Sequence, residues 1–564
     1  MRISAVRIRN FRGIESLDLE LGRVTVLIGE NNCGKTTVLD ALKLCLRDLG
    51  FRRGAVFDGL DFHLSDGAAE PSSADPIEIE VRFSDADDEE WSDQLVGRLN
   101  RARILQVDDK GRSHVRLRVT CEYDPHTREI VPDWSFLDLN GSPLSKGRGR
   151  ALAVLQSQVR YHYLTALRDA ARHFDAKGPF WKPFLQDSEL SGKDKDEIEA
   201  KLQNVNKLVV RSHSSFEKVR DGLSQVQSVV PLGTGDAVSI EAVPNRMFET
   251  LAKAQVQLGT STGARIPLGR HGEGTQSLAV LMLFAAFLES RPEGAAVLAL
   301  EEPEAHLHPS AIRALWELLR SFGGQKLVST HSGELLADID VRDIRRLART
   351  RKGIEGFRMP SGLLSEKETL NFNYHMRQAR GDLLFARCWL LAEGKTEIWV
   401  YPAAARARGL NLHRMGICVV ESSQLDISML IKVANALGID WYCVGDDDSH
   451  REKIEPTLMA NLAGAEAADR FAFPYPNIEV NLLRNRYDGV YGTFMTQTTL
   501  NQLTTVPGDP GYWEEYAAKL PKRYKAQAAA AVAVEMEARG ESGVTPEIRA
   551  VLEKTVALAK SDRQ

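Results

Sequence analysis

Two groups of residues in this chain have the types and spacing for phosphate chemistry. The first is Gly29-Glu-Asn-Asn-Cys-Gly34-Lys35-Thr36, followed by Thr37. It fits the pattern G-x-x-x-x-G-K-[ST], in which glycines let backbone N–H groups turn inward around phosphates. Lys35 would bring a point charge to the outer phosphates, and the Thr36 hydroxyl would hold Mg²⁺. Gly29, Asn31, Gly34, Lys35, Thr36 and Thr37 are therefore candidate ATP contacts. The second group is acidic: Glu393 and Glu397 in Glu-Gly-Lys-Thr-Glu, then Asp446 and Asp448 in Asp-Asp-Asp. Hard carboxylate oxygens suit one or two Mg²⁺ or Mn²⁺ ions. A pair of such ions about 4 Å apart activates a water and stabilises the leaving oxygen of a phosphodiester.

Both groups need strands to aim them. The apolar run Val24, Val26, Ile28 leads into the glycine-rich loop, and the stretch from Val38 to Leu46 follows as a helix. Cys388 to Ala392 reads as a buried strand ending at Glu393, with a helix over Ile398 to Arg408. Gly416 to Val420 is a second strand, Ile427 to Leu437 a helix, and Trp441 to Val444 a third strand ending at the aspartates. Strands alternating with helices make a parallel sheet, where ligands sit at the carboxyl ends of strands. Every one of these acids falls at such an end.

More phosphate-directed residues lie between. Gly272-Glu-Gly-Thr-Gln276-Ser277 opens an apolar helix, so Gly274 and Gln276 are placed at an anion-binding helix start. The buried strand Ala295 to Leu300 ends in Glu301-Glu302, placed to hold Mg²⁺ and to orient an attacking water respectively. Lys326 to Thr330 runs into His331, which either senses a γ-phosphate or is a plain loop residue.

The background is that of an ordinary globular protein: 43% apolar and 26% charged residues, with no run long enough for a membrane span. The start of the chain has no apolar stretch of the signal-peptide kind. Six scattered cysteines form no C-x-x-C pair, which disfavours a zinc site or a disulfide framework and fits a reducing cytoplasm. A net charge of -5 gives no overall footprint for nucleic acid, so any DNA contact needs a local basic patch. The stretch Arg342, Arg345, Arg346, Arg349, Arg351, Lys352 either tracks a phosphate backbone or is a solvated face. A loop is expected from about 353 to 380.

Alternation at Ile3 to Ile8, Leu17 to Leu21, Ile77 to Phe83 and Val115 to Tyr123 predicts antiparallel strands beside the nucleotide-binding sheet. Ile198, Leu202, Val205 and Val209, then Phe216, Val219, Leu223 and Val226, recur at helical spacing. They predict an amphipathic hairpin, serving either self-association or packing on its own domain.

The first half resembles the ABC-type ATPase fold of the RecF/SMC-like branch, with Lys35-Thr36 as Walker A, Gly272 to Ser277 as the signature, Glu301-Glu302 as Walker B and catalytic glutamate, and His331 as the switch histidine. The signature reads GEGTQS rather than LSGGQ, and Glu301 stands where Asp is commoner. The second half resembles a Toprim domain, with Glu393 and Glu397 as its glutamate motif and Asp446 and Asp448 as its D-x-D. An ABC ATPase followed directly by Toprim resembles the OLD (overcoming lysogenization defect) family of nucleases. That resemblance implies a dimerisation insert, a further metal-binding acid best matched by Glu479, and a catalytic lysine best matched by Lys525, with Lys522 and Lys554 as rivals.

The expected fold class is α/β: an ABC-type ATPase with an antiparallel β subdomain and a helical dimerisation insert, then a C-terminal Toprim domain. The expected boundaries are 1–160 and 263–380 for the two ATPase halves, 161–262 for the insert, and 381–564 for Toprim. The expected activity is ATP-regulated, divalent-metal-dependent cleavage of duplex DNA, in phage defence or repair. The chain would act as a cytoplasmic homodimer or higher oligomer, with a possible partner helicase or defence protein and no membrane attachment. The alternative is a non-nuclease ATPase clamp acting as a DNA sensor or repair scaffold.

Overall fold

The computed structural model describes residues 1–49, 57–64, 70–85, 91–144, 148–164, 192–212, 257–259, 265–267, 270–289, 295–379, 381–423, 425–449, 451–462 and 469–561. The chain divides into two compact units. Met1–Tyr163, Glu293–Glu304 and Pro309–Gln564 form the first; Leu164–Pro292 and Ala305–His308 form the second.

Three sheets build the first unit. Strand Ile3–Phe11 pairs antiparallel with Ile14–Glu20 and Ile77–Ser84, and the latter pairs with Ser113–Asp124, which carries Glu129–Leu137 on its other edge. In Ser113–Asp124 buried and half-buried residues alternate from Ser113 to Cys121, the period-two pattern of a sheet packed on one face. This is the expected antiparallel subdomain.

The second sheet runs Gly353–Arg358, Ile344–Thr350, Val24–Ile28, Gln325–Ser329, Ala295–Glu301, Val159–Leu164. Its central strands are parallel and buried nearly throughout. Register fixes what meets at their carboxyl ends: Leu27 lies beside Ser329, and Ser329 beside Glu301. The phosphate loop and the Glu301-Glu302 pair therefore leave the sheet at one level.

The third sheet is all parallel, in the order Ile417–Glu421, Cys388–Ala392, Asp440–Val444, Phe471–Ala472. Its central strand, Cys388–Ala392, is buried at every residue. Helices Lys395–Ala407 and Pro546–Ser561 lie against this sheet, and Lys525–Arg539 packs on Lys395–Ala407, with Val400, Tyr401, Ala404, Ala528 and Val532 in one core.

Two expectations fail. The segment from 353 to 380 is not a loop, because it contains strand Gly353–Arg358 and helix Glu366–Ala379. That strand closes a hairpin with Ile344–Thr350. Nor is the basic stretch before it solvated throughout: Arg342, Arg349, Arg351 and Lys352 are exposed, but two of its arginines are not. Arg345 and Arg346 are buried. Arg345 donates to the carbonyls of Glu20, Arg342 and Ile344. Arg346 donates to those of Leu437 (3.0 Å), Gly438 (2.7 Å) and Ala386 (3.0 Å), joining the second sheet to the third. Arg342 is paired with Asp340 and Glu366.

In the second unit, helix Gly192–Ser212 leaves Val205 and Leu208 exposed, with Ile198, Leu202 and Val209 half-buried. Phe216, Val219, Leu223 and Val226 lie outside the described residues. No helix among the described residues is long and apolar enough to cross a membrane.

Candidate nucleotide and metal sites

The phosphate loop is shaped by two glycines. Gly29 has φ +145°, and a Cβ there would lie 2.1 Å from the Leu347 carbonyl oxygen and 2.6 Å from Cys33 Sγ. Gly34, at φ +92°, opens helix Lys35–Lys43. Both positions exclude a side chain. The Lys35 ammonium is folded onto its own loop, donating to the carbonyls of Gly29 (2.8 Å) and Glu30 (2.9 Å). Burial pushes its pKa down. The Thr36 hydroxyl donates to Glu301 Oε1, so the two proposed Mg²⁺ ligands already touch. The other Glu301 oxygen accepts from the Tyr163 hydroxyl at 2.9 Å.

Glu302 takes a positive φ of 44° and lies 3.4 Å from His331 Nε2. His331 is held largely neutral by burial and by the Lys35 charge, which both lower its pKa. Its ring stacks on Phe385 at 6.5 Å and 15°. Behind it, Glu304 accepts from the Thr330 hydroxyl (2.7 Å) and the His331 backbone N–H (3.0 Å). Asn31 is exposed, whereas Thr37 sits half-buried within the helix.

Gly274 and Gln276 belong to the second unit. Gly274 starts helix Glu273–Glu289, and a Cβ there would come within 3.1 Å of the His306 carbonyl oxygen. The Gln276 side chain is engaged with the His271 carbonyl at 2.6 Å.

The acids of the second half gather at the carboxyl ends of the third sheet. Glu393 follows Ala392 directly, and its Oε2 accepts from the Asp446 backbone N–H at 3.0 Å. Glu397 lies in the first turn of helix Lys395–Ala407, 2% exposed. Glu479, in helix Ile478–Leu482, is 8% exposed and accepts from the Thr396 hydroxyl at 3.0 Å. Asp447 turns aside into an ion pair with Arg451 at 2.8 Å, leaving the alternate positions Asp446 and Asp448 to the acidic group. Lys525 reaches Glu479 at 3.5 Å, while Lys554 is tied to Asp469 at 2.6 Å and Lys522 sits in the turn before Lys525. Of the three lysines, only Lys525 forms a described contact with one of these acids. Ser422 donates its N–H and hydroxyl to the Ala392 carbonyl, fixing the backbone just before Glu393.

Two of these acids are raised by burial and by one another. Burial, then the charges of Glu479 and Glu393, push Glu397 up to about 7. Burial, then Glu397, Glu393, Glu479 and Asp448, push Asp446 up to about 9. Asp446 Oδ1 is buried without a hydrogen-bond partner. Among the described residues no three such side chains stand close enough to chelate an ion as they are, as expected for carboxylates that repel one another. The donor set is all hard oxygen, and an orphaned buried carboxylate oxygen is the group a divalent cation would satisfy. Mg²⁺ or Mn²⁺ fits these residues.

Sequence reasoning missed Tyr163, Glu304 and Thr396. Thr396 lies inside the Glu393–Glu397 motif and could have been found there. Tyr163 and Glu304 carry no local signal, since their roles depend on strands that meet only in the folded sheet.

Comparison with known proteins agrees with this division. Residues 1–382 match the family described as protein of unknown function (DUF2813), and residues 384–448 match the overcoming lysogenization defect protein-like TOPRIM domain. The chain is 28% identical over 523 residues to the uncharacterized protein YbjD of Escherichia coli (strain K12), covering 87% of this chain and 88% of that one. It is 26% identical over 534 residues to the OLD nuclease of Thermus scotoductus (strain ATCC 700910 / SA-01), covering 87% and 93%. It is 24% identical over 497 residues to the endonuclease GajA of Bacillus cereus (strain VD045), covering 84% and 81%. With the first match running over more than half of its length, the chain belongs to the DUF2813 family and carries an OLD-like Toprim domain directly after that region.

Proposed function

We propose that this protein is a divalent-metal-dependent DNA endonuclease, controlled by ATP, that nicks or cleaves duplex DNA at its Toprim acids. The observation that carries this reading is the carboxylate cluster of Glu393, Glu397, Asp446, Asp448 and Glu479 at the ends of parallel strands, with Lys525 beside it and the Glu397 and Asp446 carboxyls raised by burial and by their neighbours. The printed names of two relatives, an OLD nuclease and an endonuclease, point the same way. Bound divalent ions would supply water activation and charge neutralisation at the leaving oxygen. In this reading Glu393, Glu397, Asp446, Asp448 and Glu479 would hold the cations. Lys525, 3.5 Å from Glu479, would offer its charge to the scissile phosphate.

ATP binding at Lys35 and Thr36, with Mg²⁺ on Thr36 and Glu301, would act as the control. Glu302 would orient the attacking water, with His331 beside it. The signature residues Gly274 and Gln276 would complete a partner subunit's site. The partly unburied apolar residues of helix Gly192–Ser212 support self-association within the 161–262 insert. A role in phage defence or repair follows from the same reading.

The test is nicking of supercoiled plasmid with Mg²⁺ or Mn²⁺, with and without ATP. Wild type is expected to convert the plasmid to open-circle or linear DNA, and Glu393→Ala and Asp448→Ala to lose this. Lys35→Ala should change only the response to ATP. An intact plasmid under every metal and nucleotide condition would leave the ATPase-clamp reading standing instead.

A further inference from the structure

A cavity of about 330 Å³ lies between the phosphate loop, the end of strand Ile344–Thr350 and the segment leading into strand Cys388–Ala392. Its wall includes Arg346, Arg349, Arg351 and Arg387, with Glu30 as its one carboxylate. Four guanidinium groups against one carboxylate leave a formal excess of three positive charges. Glu30 is ion-paired with Arg387. Arg346 donates to the carbonyl oxygens of Leu437, Gly438 and Ala386. Arg349 and Arg351 have no carboxylate partner among the described residues, and Phe385 closes one side. The loop residues Gly29 to Cys33 form part of its wall, but none of Lys35, Thr36, Glu301, Glu302 or His331 does, so it adjoins the triphosphate cradle on another side of the loop.

We propose that this cavity binds a small phosphate-bearing anion on Arg349, Arg351 and Arg387. Guanidinium forks match phosphate oxygens in pairs, and a cluster of them around a closed space selects a compact multivalent anion. The volume is in the range of small-ligand pockets and does not admit a duplex. A phosphate would compete with Glu30 for Arg387. Because the Glu30 carbonyl is also one of the two that hold Lys35, the ligand's effect would pass into the phosphate loop and, through Arg387, to the Toprim strand.

The test is calorimetric titration of the full-length protein with inorganic pyrophosphate in EDTA, independent of any nuclease activity. Wild type should bind two equivalents. Lys35→Ala should keep one, and Arg349→Gln with Arg351→Gln on that background should weaken the remaining one at least tenfold. Both arginines are exposed, so these changes should leave the thermal unfolding midpoint unmoved. One equivalent in wild type overturns the proposal, as does unchanged affinity in the arginine variant. Displacement of the pyrophosphate by duplex DNA overturns the small-ligand assignment.

Discussion

Arg346 and Gly438 are joined across the boundary between the nucleotide-binding sheet and the Toprim sheet by a hydrogen bond of 2.7 Å. The same guanidinium also holds the carbonyls of Leu437 and Ala386. Replacing it strands three carbonyl acceptors around a largely buried guanidinium. Arg346→Met should therefore cost about 3 to 5 kcal/mol. Urea unfolding followed by tryptophan fluorescence should show a lower midpoint, and Arg346→Lys should restore only part of it.

Asp446 illustrates a conflict between stability and function. Its buried carboxylate faces Glu393, Glu397 and Glu479 without a neutralising partner. Asp446→Asn should raise the unfolding midpoint in EDTA at neutral pH by about 2 to 4 °C, since it removes the cost of holding protonated a carboxyl that is pushed up to about 9. The same change should abolish the rise in midpoint that Mg²⁺ produces in wild type. A variant that loses midpoint in EDTA would contradict this account.

Tyr163 and Thr36 grip opposite oxygens of Glu301. Tyr163→Phe keeps the ring and loses the hydroxyl bond to a charged acceptor, worth about 1.5 kcal/mol. Mg²⁺-dependent ATP affinity should fall about tenfold, while affinity measured in EDTA should barely change.

Asp343 gives a pH signature away from either site. Burial, then the Asp340 charge, pushes its carboxyl up to about 6. A raised acid favours the folded state fully below its unfolded value near ~4 and loses that contribution as pH rises through about 6. Asp343→Asn should therefore be more stable than wild type at neutral pH. Its advantage should grow by about 1 kcal/mol from about pH 5 to about pH 8, flattening above about pH 7. An advantage that shrinks with rising pH has the wrong sign for this mechanism.

The Lys35 loop and the Glu393–Asp448 acids could be read in the chain because each is contiguous and sits directly after an apolar strand. Long-range packing was hidden. Arg345 and Arg346 look like surface cations in a run of arginines, and only the pairing of their strand with Val24–Ile28 buries them. Strand Gly353–Arg358 escaped for a related reason. Gly356 leaves a gap in its side-chain pattern, and that gap is filled by Leu17 and Leu19 from another sheet. Helix Glu366–Ala379 is too polar to show an apolar stripe.

The phosphate loop is not slack, because Lys35 already has two carbonyl acceptors in Gly29 and Glu30. Nucleotide entry is thus an exchange of acceptors at one ammonium. A ligand wins only if its phosphate oxygens reach that ammonium and outbid both carbonyls. A monophosphate bound by its base end would leave the exchange unmade, so under the proposed function the loop would discriminate by chain length of the phosphate tail rather than by the base.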